Sequence, residues 1–410
     1  MSQDPTFVIV GASLAGARAA ETLREEGFGG RVVLIGDEPE RPYERPPLTK
    51  DYLRDESPRE KGYVHPEGYY SEHDIELMTG TRVTALDAAH SQITLSDGSA
   101  LGYSRLLLTT GAEPRRLAIA GAELDGIHYL RTLADADALR ERVVKGVKVV
   151  VIGAGWIGAE FAASARQLGS EVTVVDPASV PLEHVLGPEV GAVYRDVHRE
   201  NGVQLLLGTG VEAFEGSKSV ERVRTSDGGT VDCDLVVVGI GVVPRIEFAE
   251  AAGLTTDNGI LVDQGLETSA TNVFAAGDVA NAWHPFYGRH VRVEHWANAL
   301  NQGPAAARAM LGREVAYDRI PYFFSDQYDL GMEYSGFATE WDEVAFRGDP
   351  ETREFIALWL RDDRVVAGMN VNVWDVTEPI QALIRAGERV DKRRLVDPDL
   401  PLTGPVEVAS

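Results

Sequence analysis

Three glycines, Gly153, Gly155 and Gly158, follow the apolar run Val149–Ile152 with the spacing of a dinucleotide-binding turn. The first permits a tight turn, the second lets a pyrophosphate approach the backbone, and the third lets a helix pack closely on the strand. A diphosphate bound there would accept hydrogen bonds from N–H groups at the positive end of that helix. Asp176 ends the next apolar strand, where a carboxylate can accept both protons of a ribose diol. The pattern predicts a dinucleotide site.

A second copy of this arrangement lies near the N-terminus, after the short apolar strand Thr6–Val10. Gly11 and Gly16 occupy the outer positions, and Ser13 replaces the middle glycine. Serine is small enough for a diphosphate to approach the backbone. Asp37, after the following strand, supplies the expected ribose acceptor. The chain is therefore predicted to hold two nucleotide folds.

The strands that position these residues are apolar and rich in β-branched residues, as is typical of parallel strands buried on both faces. Three more such strands end on small-residue turns suited to close approach of a cofactor, at Thr110–Gly111, at Gly241 and at Gly277–Asp278. The fold class is α/β. Other predicted elements are one strand at Ala100–Thr109 and helices at Leu133–Val144, Pro188–Asn201 and His295–Leu311.

Composition narrows the function classes. The 410 residues include 39 basic and 64 acidic ones, and the net charge of −25 argues against nucleic acid and anionic membranes as partners. Cys233 is the only cysteine, so a disulfide, a redox cysteine pair and a thiolate metal site are all excluded. No secretory signal is recognised at the N-terminus. These features predict a cytoplasmic protein without a metal site.

Seven stretches in order along the chain, GASLAG, PYERPPLTK, LLLTTGA, GAGWIG, VVVGIG, FAAGDVA and PYFFSDQYD, resemble the NADH-dependent ferredoxin reductases. Those flavoproteins serve bacterial cytochromes P450 and ring-hydroxylating dioxygenases. The resemblance implies two Rossmann-like domains of the glutathione-reductase type and a C-terminal α+β interface domain. It places an FAD domain at 1–112 and 243–320, an NADH domain at 113–242 and the last domain at 321–410. The implied activity is electron transfer from NADH through FAD to a [2Fe–2S] ferredoxin.

The resemblance also implies site residues. Lys50 and Glu160, brought together from two domains, would form a catalytic ion pair beside the flavin N5. Phe324 stands where this family commonly has tryptophan, and Asp176 replaces the more usual glutamate. The expected FAD-binding residues are Gly11, Ser13, Ala15, Gly16, Asp37, Arg45, Lys50, Val83, Thr110, Gly111, Arg131, Gly277, Asp278 and Trp296. The expected NADH-binding residues are Gly153, Gly155, Gly158, Glu160, Asp176 and Gly241.

Two other classes of flavoprotein require features that the sequence does not show. Pyridine-nucleotide peroxidases and disulfide reductases need a thiol near the flavin, and Tyr43–Lys50 contains none. A membrane quinone reductase would need an amphipathic anchor, and Asp397–Ser410 has three prolines and no helical stripe. A thiol-independent NADH oxidase or diaphorase, or an NADH-sensing flavoprotein that resembles apoptosis-inducing factor, stays open as an alternative.

A basic patch is predicted as the ferredoxin docking surface, because the ferredoxins of this type are usually acidic and this chain is acidic too. The basic patch is defined as Arg385, Arg389, Lys392, Arg393 and Arg394. Arg308 and Arg313 are expected to extend it.

Overall fold

A computed structural model of the chain describes residues 5–402. Its contacts define two compact units. The first comprises Met1–Glu44, Arg59–Glu113 and Val242–Pro321, and the second comprises Arg45–Pro58, Pro114–Gly241 and Tyr322–Ser410. The segment Arg45–Pro58, which carries Lys50, therefore lies in the same unit as Glu160. The four domain borders implied by the resemblance stay a prediction.

The first unit is built on a parallel five-stranded sheet, as the apolar strand runs predicted. Its strands, in spatial order, are Val273–Ala275, Arg105–Leu108, Thr6–Val10, Arg31–Ile35 and Ile75–Met78. Helices Leu14–Glu25 and Trp296–Met310 meet closely, since a Cβ at Gly303 would lie 2.3 Å from the Ala15 carbonyl oxygen. The core formed by this sheet holds the glycine turn after Thr6–Val10 in place.

Smaller elements complete the first unit. One three-stranded sheet has strands Val83–Asp87, Gln92–Leu95 and Ala100–Gly102, and another has Ile260–Val262, Ala280–His284 and Arg289–Val291. Short helices lie at Tyr69–Glu72 and Glu247–Ala251, with single 3-10 turns at Arg59–Gly62 and Gly277–Val279. Short strands at Ala112–Pro114 and Val242–Pro244 mark where the chain leaves and re-enters this unit.

The second unit contains a parallel five-stranded sheet of the same kind. Its strands, in spatial order, are Gln204–Leu207, Glu171–Asp176, Lys148–Ile152, Leu235–Val238 and Ile127–Tyr129. A three-stranded antiparallel sheet packs with it, formed by Val211–Glu215, Arg222–Thr225 and Thr230–Asp232. The helices of this part are Leu133–Arg140, Trp156–Gln167 and Glu183–Glu200, and a 3-10 turn lies at Pro46–Thr49.

The rest of the second unit is an antiparallel five-stranded sheet with two helices. Its strands, in spatial order, are Tyr322–Gln327, Leu330–Gly336, Arg364–Val371, Glu354–Arg361 and Glu343–Asp349. A 3-10 turn lies at Pro350–Thr352, and the helices are Thr377–Ala386 and Lys392–Leu395. One face of the sheet forms a core with helix Glu183–Glu200, with Trp359 fully buried at its centre.

Three predicted elements have different bounds. The single strand predicted at Ala100–Thr109 is two strands, because Tyr103 N bonds to Ser91 O and Ser104 N to Thr6 O, which moves the chain from one sheet to another. The helix predicted at Pro188–Asn201 begins earlier, at Glu183, with a break at Gly187. Proline disfavours the helical conformation at the residue before it, and Gly187, which precedes Pro188, has a φ of 78°.

The third difference is a helix end. The helix predicted at Leu133–Val144 stops at Arg140, where Arg142 N bonds to Leu139 O in a tighter turn. Within residues 5–402, no helix is long and apolar enough to cross a membrane. The predicted absence of a C-terminal anchor at Asp397–Ser410 falls partly outside the described residues, from Thr403 onward.

Candidate functional site

The glycine turn of the first unit admits only glycine at its two outer positions. Gly11 has a φ of 120°, and a Cβ there would lie 2.1 Å from the Thr109 carbonyl oxygen. A Cβ at Gly16 would lie 2.1 Å from the Gly11 oxygen. Ser13 precedes helix Leu14–Glu25 with extended backbone, so the helix N-terminus opens directly on the turn. Such a terminus is suited to an anion.

Asp37 lies two residues beyond the neighbouring strand Arg31–Ile35 and is held by two arginines. Its Oδ2 is 3.2 Å from both Arg82 Nη2 and Arg245 Nη1. Arg245 also fixes the small-residue turn, since Thr110 Oγ1 donates to its carbonyl oxygen and its N–H donates to the Gly111 oxygen. Neither arginine was predicted, because nothing in the local sequence marks it as a partner of Asp37.

The turn at Gly277–Asp278 lies against helix Leu14–Glu25. A Cβ at Gly277 would be 3.3 Å from the Ala15 Cβ, and the Gly277 N–H donates to Gln302 Oε1 at 2.8 Å. Trp296 is the first residue of the helix that carries Gln302, and Val83 begins the strand next to Arg82. The first unit thus gathers the predicted residues Gly11, Ser13, Ala15, Gly16, Asp37, Val83, Thr110, Gly111, Gly277, Asp278 and Trp296.

The glycine turn of the second unit has the same geometry. Gly153 has a φ of 99°, and a Cβ there would lie 2.4 Å from the Gly239 oxygen. A Cβ at Gly158 would lie 2.0 Å from the Gly153 oxygen. At Gly155, by contrast, a Cβ would meet no described atom within 4 Å. The middle glycine therefore faces open space, as a site that admits a pyrophosphate requires.

Asp176 is anchored where the ribose acceptor was predicted. Its Oδ2 accepts from Ala154 N at 2.6 Å, within the glycine turn, and its Oδ1 accepts from Ala178 N at 2.7 Å. Each oxygen keeps a second lone pair for a hydroxyl group. Gly241, with a φ of 96°, lies two residues beyond Gly239, the neighbour of Gly153. The residues present fit a dinucleotide.

Lys50 and Glu160 form the predicted ion pair, with 3.1 Å between Lys50 Nζ and Glu160 Oε1. Both residues are buried, at 8% exposure each. Thr49 Oγ1 donates to Glu160 Oε2 and Ser325 Oγ donates to Oε1, both at 2.6 Å. Asp326 Oδ2 lies 3.8 Å from Lys50 Nζ. A buried carboxylate is thus surrounded by three donors, two of which the sequence did not indicate.

The Lys50 ammonium also lies 4.8 Å from the centre of the Phe324 ring, a cation–π contact. The phenylalanine that replaces the family's tryptophan therefore contacts the ion pair. Elsewhere in the second unit, Arg45 Nη1 donates to the Arg131 carbonyl oxygen at 3.0 Å. Arg45 and Arg131, both predicted to bind FAD, are thus in contact, and Arg131 lies two residues before helix Leu133–Arg140.

The basic patch is exposed, and part of it is tied to the C-terminal sheet. All five of its residues are exposed. Lys392 forms an ion pair with Glu343, and Arg364 donates to the Gly387 oxygen, which holds the loop between the last two helices. Arg308 and Arg313, in the first unit, lie 2.9 and 4.0 Å from the carboxylate of Glu26.

Cys233 is buried, with 5% exposure, and burial raises the pKa of its thiol to about 12. A thiol is reactive as the thiolate, which this environment disfavours.

Replacement of Cys233 by serine is therefore expected to leave flavin content and NADH-driven electron transfer within about twofold of wild type. Flavin absorbance and steady-state reduction of ferricyanide measure both. A variant that keeps its flavin but loses turnover would show that the thiol takes part in the reaction.

Two parallel nucleotide folds with glycine turns, each followed by an acid, are typical of a protein that binds two nucleotides. The chain belongs to the pyridine nucleotide-disulphide oxidoreductase family, whose model matches residues 5–303, and a reductase C-terminal domain matches residues 322–404. It is a flavin-dependent enzyme that uses NAD(H). Its one cysteine sets it apart from those members that work through a disulfide.

Relatives match over nearly the whole chain. The ferredoxin–NAD(+) reductase component of the anthranilate 1,2-dioxygenase system of Burkholderia cepacia is 42% identical over 406 residues, 98% of this chain and 99% of that protein. Putidaredoxin reductase of Pseudomonas putida is 39% identical over 378 residues, 91% of this chain and 90% of that protein. The covalent putidaredoxin reductase–putidaredoxin complex matches with a TM-score of 0.94 and 38% identity, over 98% of both chains.

Proposed function

We propose that this enzyme is an NADH:ferredoxin oxidoreductase that binds FAD in its first unit and NADH in its second. The observation that carries the proposal is the full-length similarity to the reductase of the putidaredoxin complex, which includes the C-terminal domain. The only cysteine, Cys233, is buried, which agrees with a reaction that uses no thiol. Its single cysteine also supports a cytoplasmic location.

The flavin nucleotide is assigned to the turn Gly11–Gly16. FAD supplies, when bound, a ring that takes a hydride from NADH and passes on the electrons singly. The turn and the N-terminus of helix Leu14–Glu25 bind the diphosphate through backbone N–H groups. Asp37 accepts from the adenosine ribose while Arg82 and Arg245 hold its carboxylate in place.

NADH is assigned to the turn Gly153–Gly158, with its adenosine ribose on Asp176. The open face of Gly155 admits the pyrophosphate, and the anchored carboxylate of Asp176 accepts from the 2′- and 3′-hydroxyl groups. The Lys50–Glu160 pair holds two opposite charges in a fixed, largely dry position. We assign it the role of orienting the reacting ring of NADH for hydride transfer.

The test is reduction of a panel of purified [2Fe–2S] ferredoxins with NADH as donor, followed at the cluster absorbance. Fast reduction of at least one ferredoxin, with slow oxygen consumption in its absence, supports the proposal. Comparable turnover with oxygen alone and no ferredoxin reduction would favour the thiol-independent NADH oxidase. If the protein reduces no ferredoxin and consumes no oxygen, the result would point to a protein that binds NADH as a signal.

Reversal of Lys392, Arg393 and Arg394 to glutamate is expected to slow ferredoxin reduction several-fold at low salt. An acidic partner is steered by exposed cations, and this effect is screened beyond roughly 8–10 Å near physiological ionic strength. The loss should therefore lie mainly in the association rate and should shrink as salt is added. Stopped-flow cluster reduction at several salt concentrations measures it.

A matched control reverses Lys145, Arg199 and Lys218, three exposed cations outside the basic patch, which changes the net charge equally. An equal loss in both triple variants would mean that net charge, and not this surface, governs docking.

A further inference from the structure

A line of buried polar side chains leads to Glu160 from helix Glu183–Glu200. His198 Nε2 lies 2.9 Å from Gln327 Oε1, Gln327 Nε2 lies 3.3 Å from Ser325 Oγ, and Ser325 Oγ lies 2.6 Å from Glu160 Oε1. His198 and Gln327 are 1% exposed and Ser325 is 2% exposed. Four polar groups in contact are thus shielded from water.

The secondary structure explains why these groups meet. On the strand Tyr322–Gln327, alternate residues face the same side, so Ser325 and Gln327 are neighbours on its buried face. On the helix, His198 continues a buried stripe at every fourth position, after Leu186, Val190 and Tyr194. That stripe packs on the C-terminal sheet. A histidine in an otherwise apolar stripe is the one sequence signal that marks this network.

The donors in this line all point toward Glu160. An ionised carboxylate only accepts hydrogen bonds, so the Ser325 hydroxyl must donate to it. Ser325 Oγ then accepts from the Gln327 amide, which turns the amide oxygen toward His198. His198 must donate from Nε2, which leaves Nδ1 as an acceptor for the Tyr328 hydroxyl at 3.4 Å. Of the two neutral tautomers of His198, the Nε2–H form satisfies both of these contacts.

The environment of His198 favours that neutral form. Burial lowers the pKa of His198 to about 4, so the ring is uncharged at neutral pH. A second ring proton, on Nδ1, would meet the Tyr328 oxygen and force that hydroxyl to turn away. Buried, fully satisfied networks hold their members in one arrangement.

We propose that His198 is a positioning residue that acts through Gln327 and Ser325 to orient the Glu160 carboxylate toward Lys50. The inference rests on the proposed function of the ion pair. With Ser325 on Oε1 and Thr49 on Oε2, the carboxylate is fixed at both oxygens, and Lys50 takes the remaining side. Without the hydrogen bonds from His198 through Gln327 and Ser325, the Glu160 carboxylate is free to rotate. Its ion pair with Lys50 then becomes disordered.

The first test is kinetic and uses the flavin-loaded enzyme without oxygen. Ser325→Ala is expected to lower the limiting rate of flavin reduction by NADH about tenfold, since it removes a hydrogen bond to a charged group. Gln327→Met and His198→Phe, which act at a distance, should each lower it about threefold. The dissociation constant of NADH, from the concentration dependence, should change less than twofold. Ser325→Thr keeps the hydroxyl group and should restore most of the rate.

The chain offers a matched control between the same sheet and helix Thr377–Ala386. Gln381 Nε2 donates to Ser335 Oγ at 3.1 Å, a glutamine–serine pair that does not reach Glu160. Gln381→Met and Ser335→Ala should leave the rate of flavin reduction unchanged. Equal losses in the control pair, or no loss in Ser325→Ala and Gln327→Met, would overturn the proposal.

The second test does not depend on turnover. Nitrogen NMR of protein labelled at histidine, with His198→Phe to assign the signals, should show His198 as the neutral Nε2–H form at pH 7. An Nδ1–H form or a charged ring would overturn the proposal. Glu160→Gln is measured beside these variants. If Glu160→Gln leaves the rate of flavin reduction intact, the proposed role of the ion pair fails. If Glu160→Gln slows flavin reduction but Ser325→Ala does not, only the positioning role of His198 is refuted.

Discussion

Replacement of Glu160 by glutamine is expected to slow flavin reduction by NADH about tenfold to a hundredfold, the range given by loss of one charged contact. The substitution keeps the size of the side chain and a carbonyl oxygen for Thr49 or Ser325. It removes the negative charge 3.1 Å from Lys50 Nζ, and Asp326, at 3.8 Å, remains as a carboxylate partner of the ammonium. The ammonium should then shift toward Asp326, whose side chain is 56% exposed. Anaerobic stopped-flow absorbance measures the rate.

A double-variant cycle separates this effect from a loss of stability. Lys50→Met and Glu160→Gln should each slow reduction, and the double variant should be little slower than either, because the two residues act as one pair. Removal of one partner from a buried pair also costs about 3–5 kcal/mol of stability. Thermal unfolding is therefore followed for each variant. Normal reduction rates with lowered melting temperatures would show that the pair serves folding only.

The glycine turns were predictable from sequence because their geometry excludes other residues. At Gly11 and Gly153 a positive φ combines with a backbone oxygen 2.1 or 2.4 Å from a Cβ, so only glycine is tolerated. The acids Asp37 and Asp176 follow from the same strand–turn–helix–strand pattern, since Asp176 ends the strand beside its turn and Asp37 lies two residues beyond the corresponding strand. The glycine spacing of the turn is therefore recognisable in a short stretch of sequence, although the oxygens that exclude other residues belong to Thr109 and Gly239.

The surroundings of Glu160 were not predictable in the same way. Thr49 and Ser325 are ordinary residue types that lie 111 and 165 positions from Glu160, and only the packed structure brings them together. The pairing of Lys50 with Glu160 was expected from the family resemblance alone. Its expected origin in two domains stays a prediction, while the contacts place both residues in one compact unit. The Pro46–Thr49 turn packs there on helix Trp156–Gln167, and Ser164 Oγ donates to the Thr49 oxygen.

Selectivity for NADH over NADPH is the second large effect expected, and it depends on Asp176. NADPH carries a phosphate on the ribose hydroxyl that Asp176 is assigned to bind. Two like charges a few ångströms apart repel by about 1–4 kcal/mol, depending on the local dielectric. This corresponds to a preference for NADH in kcat/KM of about tenfold to several hundredfold. The carboxylate cannot easily swing away, because Ala154 N and Ala178 N hold both of its oxygens.

Asp176→Asn should reduce this preference by at least about tenfold, since it removes the charge and keeps one oxygen for the backbone. Glu183→Gln is a matched control at the other end of the loop that follows Asp176. The Glu183 carboxylate accepts from Ser179 N at 2.6 Å, and this hydrogen bond holds its pKa below the usual range, so it too is charged at neutral pH. Steady-state kcat/KM for both nucleotides, with ferricyanide as acceptor, measures the preference. An equal change in Glu183→Gln would assign the selectivity to the charge of the whole loop, and comparable wild-type values for NADH and NADPH would refute the role of Asp176.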